Sequence, residues 1–179
     1  MIKMRTRKIK LDQYDLPQNE VIQDDPKQYS QYSKSIGEIM ICFSELEYVL
    51  DKVLVESISD RSDRGYMYIK GLRMRDKIEI FKQLGLDYIN IEIEHFKLTK
   101  SKLLSIISKL KELNTFRNRV AHANWMTLSK DGFVRTKVFY NNEDGQTEFI
   151  EVKMTEELMK KYIIKIRDMT FFLYDKVVI

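Results

Sequence analysis

Apolar residues recur at three- and four-residue spacing along four separate stretches of this chain, which confines most of its length to amphipathic helices. In the first, Ile36, Ile39, Met40, Phe43, Leu46, Leu50, Val53 and Leu54 predict a helix from Pro26 to about Ser59, with Asp25 as its cap. A second is predicted over Leu72 to Leu84, carrying Ile78, Ile80, Phe81 and Leu84 and stopping at Gly85. Thr99 or Ser101 caps a third, whose apolar positions are Leu103, Ile106, Ile107, Leu110, Leu113 and Val120. Thr155, Glu156 and Glu157 open the last, with a stripe of Leu158, Tyr162, Ile163, Ile166, Met169, Phe172, Leu173 and Val177.

Between Trp125 and Lys153 the apolar period changes to two. The turn clusters SKDG and NNEDG divide that stretch into WMTL, FVRTKVFY and TEFIEV, the pattern of a small antiparallel meander. The expected fold class is therefore all-α: an antiparallel helical bundle over residues 26–179, with a small β-meander insertion at about 125–153 before the last helix. Residues 1–25 read as a basic, partly ordered arm, since Lys3, Arg5, Arg7, Lys8 and Lys10 come without an acid among them. Such an arm is an electrostatic tether for RNA, or else a solvated terminus or an edge strand.

Composition narrows the chemistry. The 179 residues fit one domain, and 31 Lys+Arg against 27 Asp+Glu leave a charge of +4, which permits nucleic acid as a partner without requiring it. Cys42 is the sole cysteine and there are two histidines, so one protomer cannot assemble a four-ligand zinc site or an internal disulfide. No G-x-x-x-x-G-K, G-x-G-x-x-G, H-E-x-x-H or paired-Cys pattern occurs, so no cofactor and no metal is expected. No apolar run is long enough to span a bilayer, and the first ten residues lack the apolar segment of a secretory signal, so the expected compartment is the cytoplasm.

On a wheel of about 100° per residue with Arg117 at zero, Leu110 falls at about 20°, Leu103 at about 40°, Ile106 at about 340° and Leu113 at about 320°. Arg117 thus lies inside the apolar stripe, where a guanidinium needs partners. Asn118, at about 100°, and His122, at about 140°, share an edge one turn apart, while Arg119, at about 200°, is expected to face solvent. Together these residue types suit phosphodiester cleavage: His moves a proton near neutral pH, Arg holds developing phosphorane charge, and Asn orients the His or the 2′-hydroxyl. The competing role for Arg117 is a structural pair with a buried acid, Glu47 on the first helix or, second, Glu45. His95 is a second histidine to consider. Trp125, just past the helix end, either stacks on a base or packs under the β insertion, and Arg119 is a further RNA contact.

The stretch LNTFRNRVAHANW, with Arg117, Asn118 and His122 in the pattern R-N-x-x-x-H, resembles the signature of HEPN domains. FSELEYVLDKVL is similar to the first bundle helix of many such proteins and MRDKIEIFKQLG to the second, so the resemblance spans roughly residues 35–125 plus a closing helix. It implies a helical bundle that forms a homodimer in which two motifs face one cleft. It also implies a metal-independent endoribonuclease acting on RNA as a toxin or defence effector, with an antitoxin protein as partner. Arg117 would hold the scissile phosphate, His122 would serve as general base or acid, and Asn118 would orient. In HEPN toxins whose antitoxin modifies a tyrosine the motif continues H-x-Tyr, whereas Asn124 stands at that position here, which speaks against that kind of antitoxin. Other members have lost catalysis, so the alternative is a silent module that binds nucleic acid or a partner protein.

Overall fold

Scarce glycine and proline leave the helices long. The computed structural model describes residues 4–10, 26–59, 62–92, 98–141 and 146–176. In chain order the elements are β1 (Thr6–Lys10), α1 (Pro26–Ile58), α2 (Ser62–Ile69), α3 (Met74–Asn90), α4 (Lys100–His122), a 3-10 turn at Trp125–Thr127, β2 (Phe133–Asn141), β3 (Gln146–Lys153) and α5 (Glu156–Lys176). The protein is therefore mostly helical with a small three-stranded antiparallel sheet. Among the described residues no helix is long and apolar enough to cross a membrane. Contacts divide the chain into two compact units, residues 1–38 with 118–161 and residues 39–117 with 162–179.

In the second unit the helical core is built as the periodicity requires. Leu46, Leu50, Leu54, Ile78, Leu103, Leu110 and Ile166 are fully enclosed. Thr99 caps α4, its Oγ1 accepting from the Lys102 amide at 3.3 Å. Phe116 of α4 lies flat on Tyr162 of α5, with ring centroids 3.6 Å apart and planes 5° from parallel. The Tyr162 hydroxyl donates to Glu112 at 3.0 Å, and Lys165 reaches the same carboxylate at 2.8 Å. Burial works to raise the Glu112 pKa, but these two donors outweigh it and hold the group below its ordinary value.

Two expectations change among these helices. DRSDRG reads in the sequence as the end of the first helix and YMYI as a short linking piece, but Ser62–Ile69 forms a helix of its own. It packs against α1 through Gly65, where an added Cβ would come within 2.8 Å of Val55 Cγ1 and 3.1 Å of the Val55 carbonyl. Gly85 does not stop α3, which continues to Asn90. It is a close-packing residue instead: a Cβ there would sit 2.8 Å from Leu103 Cδ2 of α4.

In the first unit the sheet has strand order β1-β3-β2. FVRTKVFY and TEFIEV pair as expected, with Arg135 opposite Glu151, Val138 opposite Phe149, and a bulge between Arg135 and Lys137. Gly132, at φ +78°, closes the SKDG turn ahead of β2, its amide donating to Ser129 O at 2.8 Å. The third strand is not WMTL. Trp125–Thr127 is a 3-10 turn, joined to the sheet edge by an isolated bridge between Asn124 and Arg135 and by the Arg135 amide, which donates to Thr127 Oγ1 at 3.0 Å. The basic arm supplies the third strand, Arg7 pairing with Glu151 and Ile9 with Phe149, so of the readings given to the arm the edge strand holds for Thr6–Lys10. The rest of the arm, 11–25, lies outside the described residues.

Two stability measurements check this packing. Gly65→Ala is expected to destabilise by about 1 to 3 kcal/mol, because α1 backbone stands in the way, whereas Gly37→Ala, with open space around it in α1, is expected to stabilise by about 0.5 to 1 kcal/mol in urea denaturation. Glu112, with a lowered folded pKa, contributes stability that is present above its unfolded value near 4.5 and lost as pH falls through the folded value. The stability gap between wild type and Glu112→Gln is thus expected to be full at pH 7 and to shrink as the pH falls below 4.5.

Candidate functional site

All three residues of the R-N-x-x-x-H stretch lie on α4. Arg117 is half-buried, its Cζ 5.2 Å from the ring centroid of the buried Phe43 on α1. A guanidinium resting on an aromatic face at this distance is held by the ring quadrupole, which explains how a cation is accommodated beside an apolar core. Asn118 is half-buried and His122, the last residue of α4, is exposed. Helical spacing separates Arg117 from His122 by about 140° and about 7.5 Å of rise, so one copy of the helix aims them in different directions.

Arg119 does not simply face solvent. It is half-buried, with Nη1 3.4 Å from the Met4 sulfur of the segment entering β1. Trp125 is pinned rather than free to swing: its Nε1 donates to Val120 O at 2.9 Å, and its ring meets Tyr32 at 5.9 Å and 45°. These contacts are to α4 and to Tyr32 of α1. His95 lies outside the described residues.

Glu47 meets a lysine that sequence patterning does not single out. Lys77 of α3 donates to Glu47 Oε1 at 2.9 Å and to Asp51 Oδ2 at 2.9 Å, and its side chain is only 6% exposed. Glu47 and Asp51 stand one turn apart on α1, the spacing that lets two carboxylates grip one ammonium. For Lys77, burial acts to lower the pKa, but the two acids prevail and keep it above its ordinary value. Burial raises the Asp51 pKa, and the neighbouring Glu47 charge adds to that. Glu47 therefore helps anchor α3 to α1. Glu45, the second candidate acid, is exposed and lines a shallow groove of about 310 Å³ with Val49, Arg167, Thr170, Phe171 and Tyr174.

Lys77 reads in the sequence as one more charge in MRDKIEIF; the signal that marks it is its position one residue before Ile78, between Met74 and Phe81 on the buried face of α3. Compared with protein-family models, with curated proteins and with solved structures, the chain gives no match.

Removing the cation from a buried pair leaves charge without compensation. Lys77→Met is expected to cost about 3 kcal/mol in urea denaturation, and adding Glu47→Gln and Asp51→Leu to it is expected to restore most of that loss.

Proposed function

We propose that this protein is a HEPN-type, metal-independent endoribonuclease that works as a homodimer in the cytoplasm, in a toxin or defence setting with a protein antitoxin. The observation that carries the reading is the placement of Arg117, Asn118 and His122 on one helix, with the imidazole exposed at its end and the guanidinium anchored on Phe43. An exposed His can reach a ribose hydroxyl, and an anchored Arg offers a fixed cation for phosphate.

A divergence of about 140° within one helix favours a site completed by a second copy, as the resemblance implies. Association is also supported by exposed apolar side chains on α1 (Ile41 and Tyr48) and α5 (Ile164, Phe171 and Tyr174). In the proposed reaction His122 takes the proton of the 2′-hydroxyl, whose oxygen attacks the adjacent phosphorus. The bond to the 5′ oxygen breaks, and that oxygen receives a proton from the His122 of the other copy. Arg117 holds the charge that accumulates on the phosphoryl oxygens, and Asn118 fixes the imidazole. The same divergence gives the silent binding module its footing, because without a second copy Arg117 and His122 do not converge on one phosphate.

Purified protein incubated with single-stranded RNA in EDTA is expected to leave 2′,3′-cyclic phosphate and 5′-hydroxyl ends, and to leave DNA intact for want of a 2′-hydroxyl. His122→Ala is expected to abolish cleavage with RNA affinity nearly unchanged, since phosphate contacts dominate binding. Light scattering is expected to return about twice the 21.5 kDa chain mass. Cleavage that survives in His122→Ala, or that requires added magnesium, would leave the silent module as the better account.

A further inference from the structure

The three-stranded sheet turns an unusual surface outward. Residues paired across strands share a face, so Arg7, Glu151 and Arg135 form one row, with Ile9, Phe149 and Val138 and then Tyr140 on one side and Phe133 and Lys153 on the other. Arg5, two residues before Arg7, extends the Phe133–Lys153 row, its carbonyl accepting from the Lys153 amide at 2.9 Å. The opposite face carries Val134 and Val152, both fully buried, and is the one turned inward. On the outer face Tyr140 and Val138 are more than 60% exposed, and Arg5 and Arg7 are exposed.

Among the described residues of this face, four cations against one acid would be a simple basic patch, were it not for how they are held. Arg7 Cζ lies 4.2 Å over the Phe133 ring and Arg135 Cζ 4.6 Å over the Phe149 ring. Lys153 Nζ stands 5.6 Å from the Phe133 centroid. The one acid, Glu151, is 3% exposed and is spent on the arginines: Oε2 accepts from Arg7 at 2.7 and 2.8 Å, and Oε1 from Arg135 at 3.4 Å. A buried carboxylate under two guanidinium groups locks their planes in place, while 43% of the Arg7 side chain remains open to solvent.

We infer that this sheet face, centred on Arg7, Arg135, Lys153 and Tyr140, is a binding platform for single-stranded RNA, separate from the His122 chemistry. The fixed, open guanidinium plane of Arg7 and the exposed Tyr140 ring are surfaces on which unpaired bases stack, Arg135 adds positive charge from a largely covered position, and Arg5 and Lys153 meet the phosphates between them. An acidic peptide would use the cations but not the ring-backed planes. The order already present in the arginines lowers the entropic cost of ordering on binding. None of these residues takes part in the proposed cleavage chemistry.

The test uses full-length His122→Ala protein, so that RNA stays intact, and fluorescence anisotropy of a short labelled single-stranded RNA across a salt series. Arg5→Ala combined with Lys153→Ala is expected to weaken binding at least tenfold and to flatten the log–log salt slope by about 1.4, roughly 0.7 for each phosphate no longer neutralised. Tyr140→Ala is expected to weaken binding about tenfold with the slope unchanged, because stacking releases no counterions. Lys109→Ala, an exposed lysine on α4, serves as the control and is expected to bind as the parent does. The substituted positions do not touch Glu151, and matching melting curves confirm that the variants are folded. Affinities within twofold of the parent for both face variants overturn the inference. So does polyphosphate that competes as well as RNA while Tyr140→Ala is silent, which leaves a general anion patch, or face-dependent binding to phosphatidylglycerol vesicles that RNA does not displace. Cleavage that depends on His122 with no effect of the face variants removes this inference and keeps the nuclease reading; face-dependent RNA binding in a protein that never cleaves does the reverse.

Discussion

Burial of α4 governs where each candidate side chain can point. Within its unit this helix meets three others: Leu103 fills the space over Gly85 of α3, Phe116 stacks on Tyr162 of α5, and Arg117 lies over Phe43 of α1. On the wheel with Arg117 at zero, the buried positions from Leu103 to Leu110 centre at about 30°, whereas Leu113, Phe116 and Val120 centre at about 290°. Mismatch between 3.6 and 3.5 residues per turn accounts for only about 20° per heptad, so most of this rotation comes from the neighbours, above all the ring of Tyr162. Arg117 ends about 70° from the new centre and is half-buried, Arg119 lies about 90° to the other side and is also half-buried, and His122 points away and is exposed. Asn118 is the exception, half-buried although it faces away from the stripe.

That rotation also marks the boundary of what could be read from the sequence. Helix caps and stripes are local signals, and Thr99, Thr155 and the long apolar repeats place α1, α4 and α5 closely. Phe116, by contrast, falls outside the stripe set by Leu103 to Leu113, and only the arrival of α5 makes it a core residue. Gly85 has the same property: as a sequence feature it is a terminator, but the approach of Leu103 makes it a contact. The Arg117 position beside the core was legible, while the Phe43 ring beneath it and the grip of Lys77 on Glu47 were not, because each depends on which helices become neighbours.

The sheet shows the same limit in a sharper form. FVRTKVFY and TEFIEV announce a hairpin through a turn cluster between them, a signal confined to one short stretch. β1 reaches β3 across more than half the chain, and nothing near TRKIK specifies that pairing. What could have suggested it is charge. Glu148 and Glu151 flank the apolar pair Phe149 and Ile150 in β3 and are both buried, so they need cations, and the arm supplies Lys8 to the first, 3.4 Å away, and Arg7 to the second. WMTL offered the alternation of a strand, but Trp125 satisfies its ring nitrogen on the end of α4, and that bond holds the chain in a turn.

Two buried ionic clusters in this protein therefore have the same ingredients and opposite outward signs. In one, Lys77 is enclosed and Glu47 and Asp51 are the more exposed members, 28% and 16% against 6%. Such a cluster joins two helices and shows its surroundings carboxylate, so it repels a phosphate chain and gives the surface nothing to bind RNA with. In the other, Glu151 is enclosed at 3%, and the cations Arg7 and Arg135 lie outside it at 43% and 13%. Both arrangements compensate a desolvated charge, and both cost stability if one member is removed. Only the second leaves a positive, planar, immobilised group, that of Arg7, facing water. Which ion is buried decides whether an ionic cluster serves the core alone or also prepares a surface for an anionic partner, and on that ground the sheet, not the Lys77 cluster, is the place where added salt is expected to weaken RNA binding.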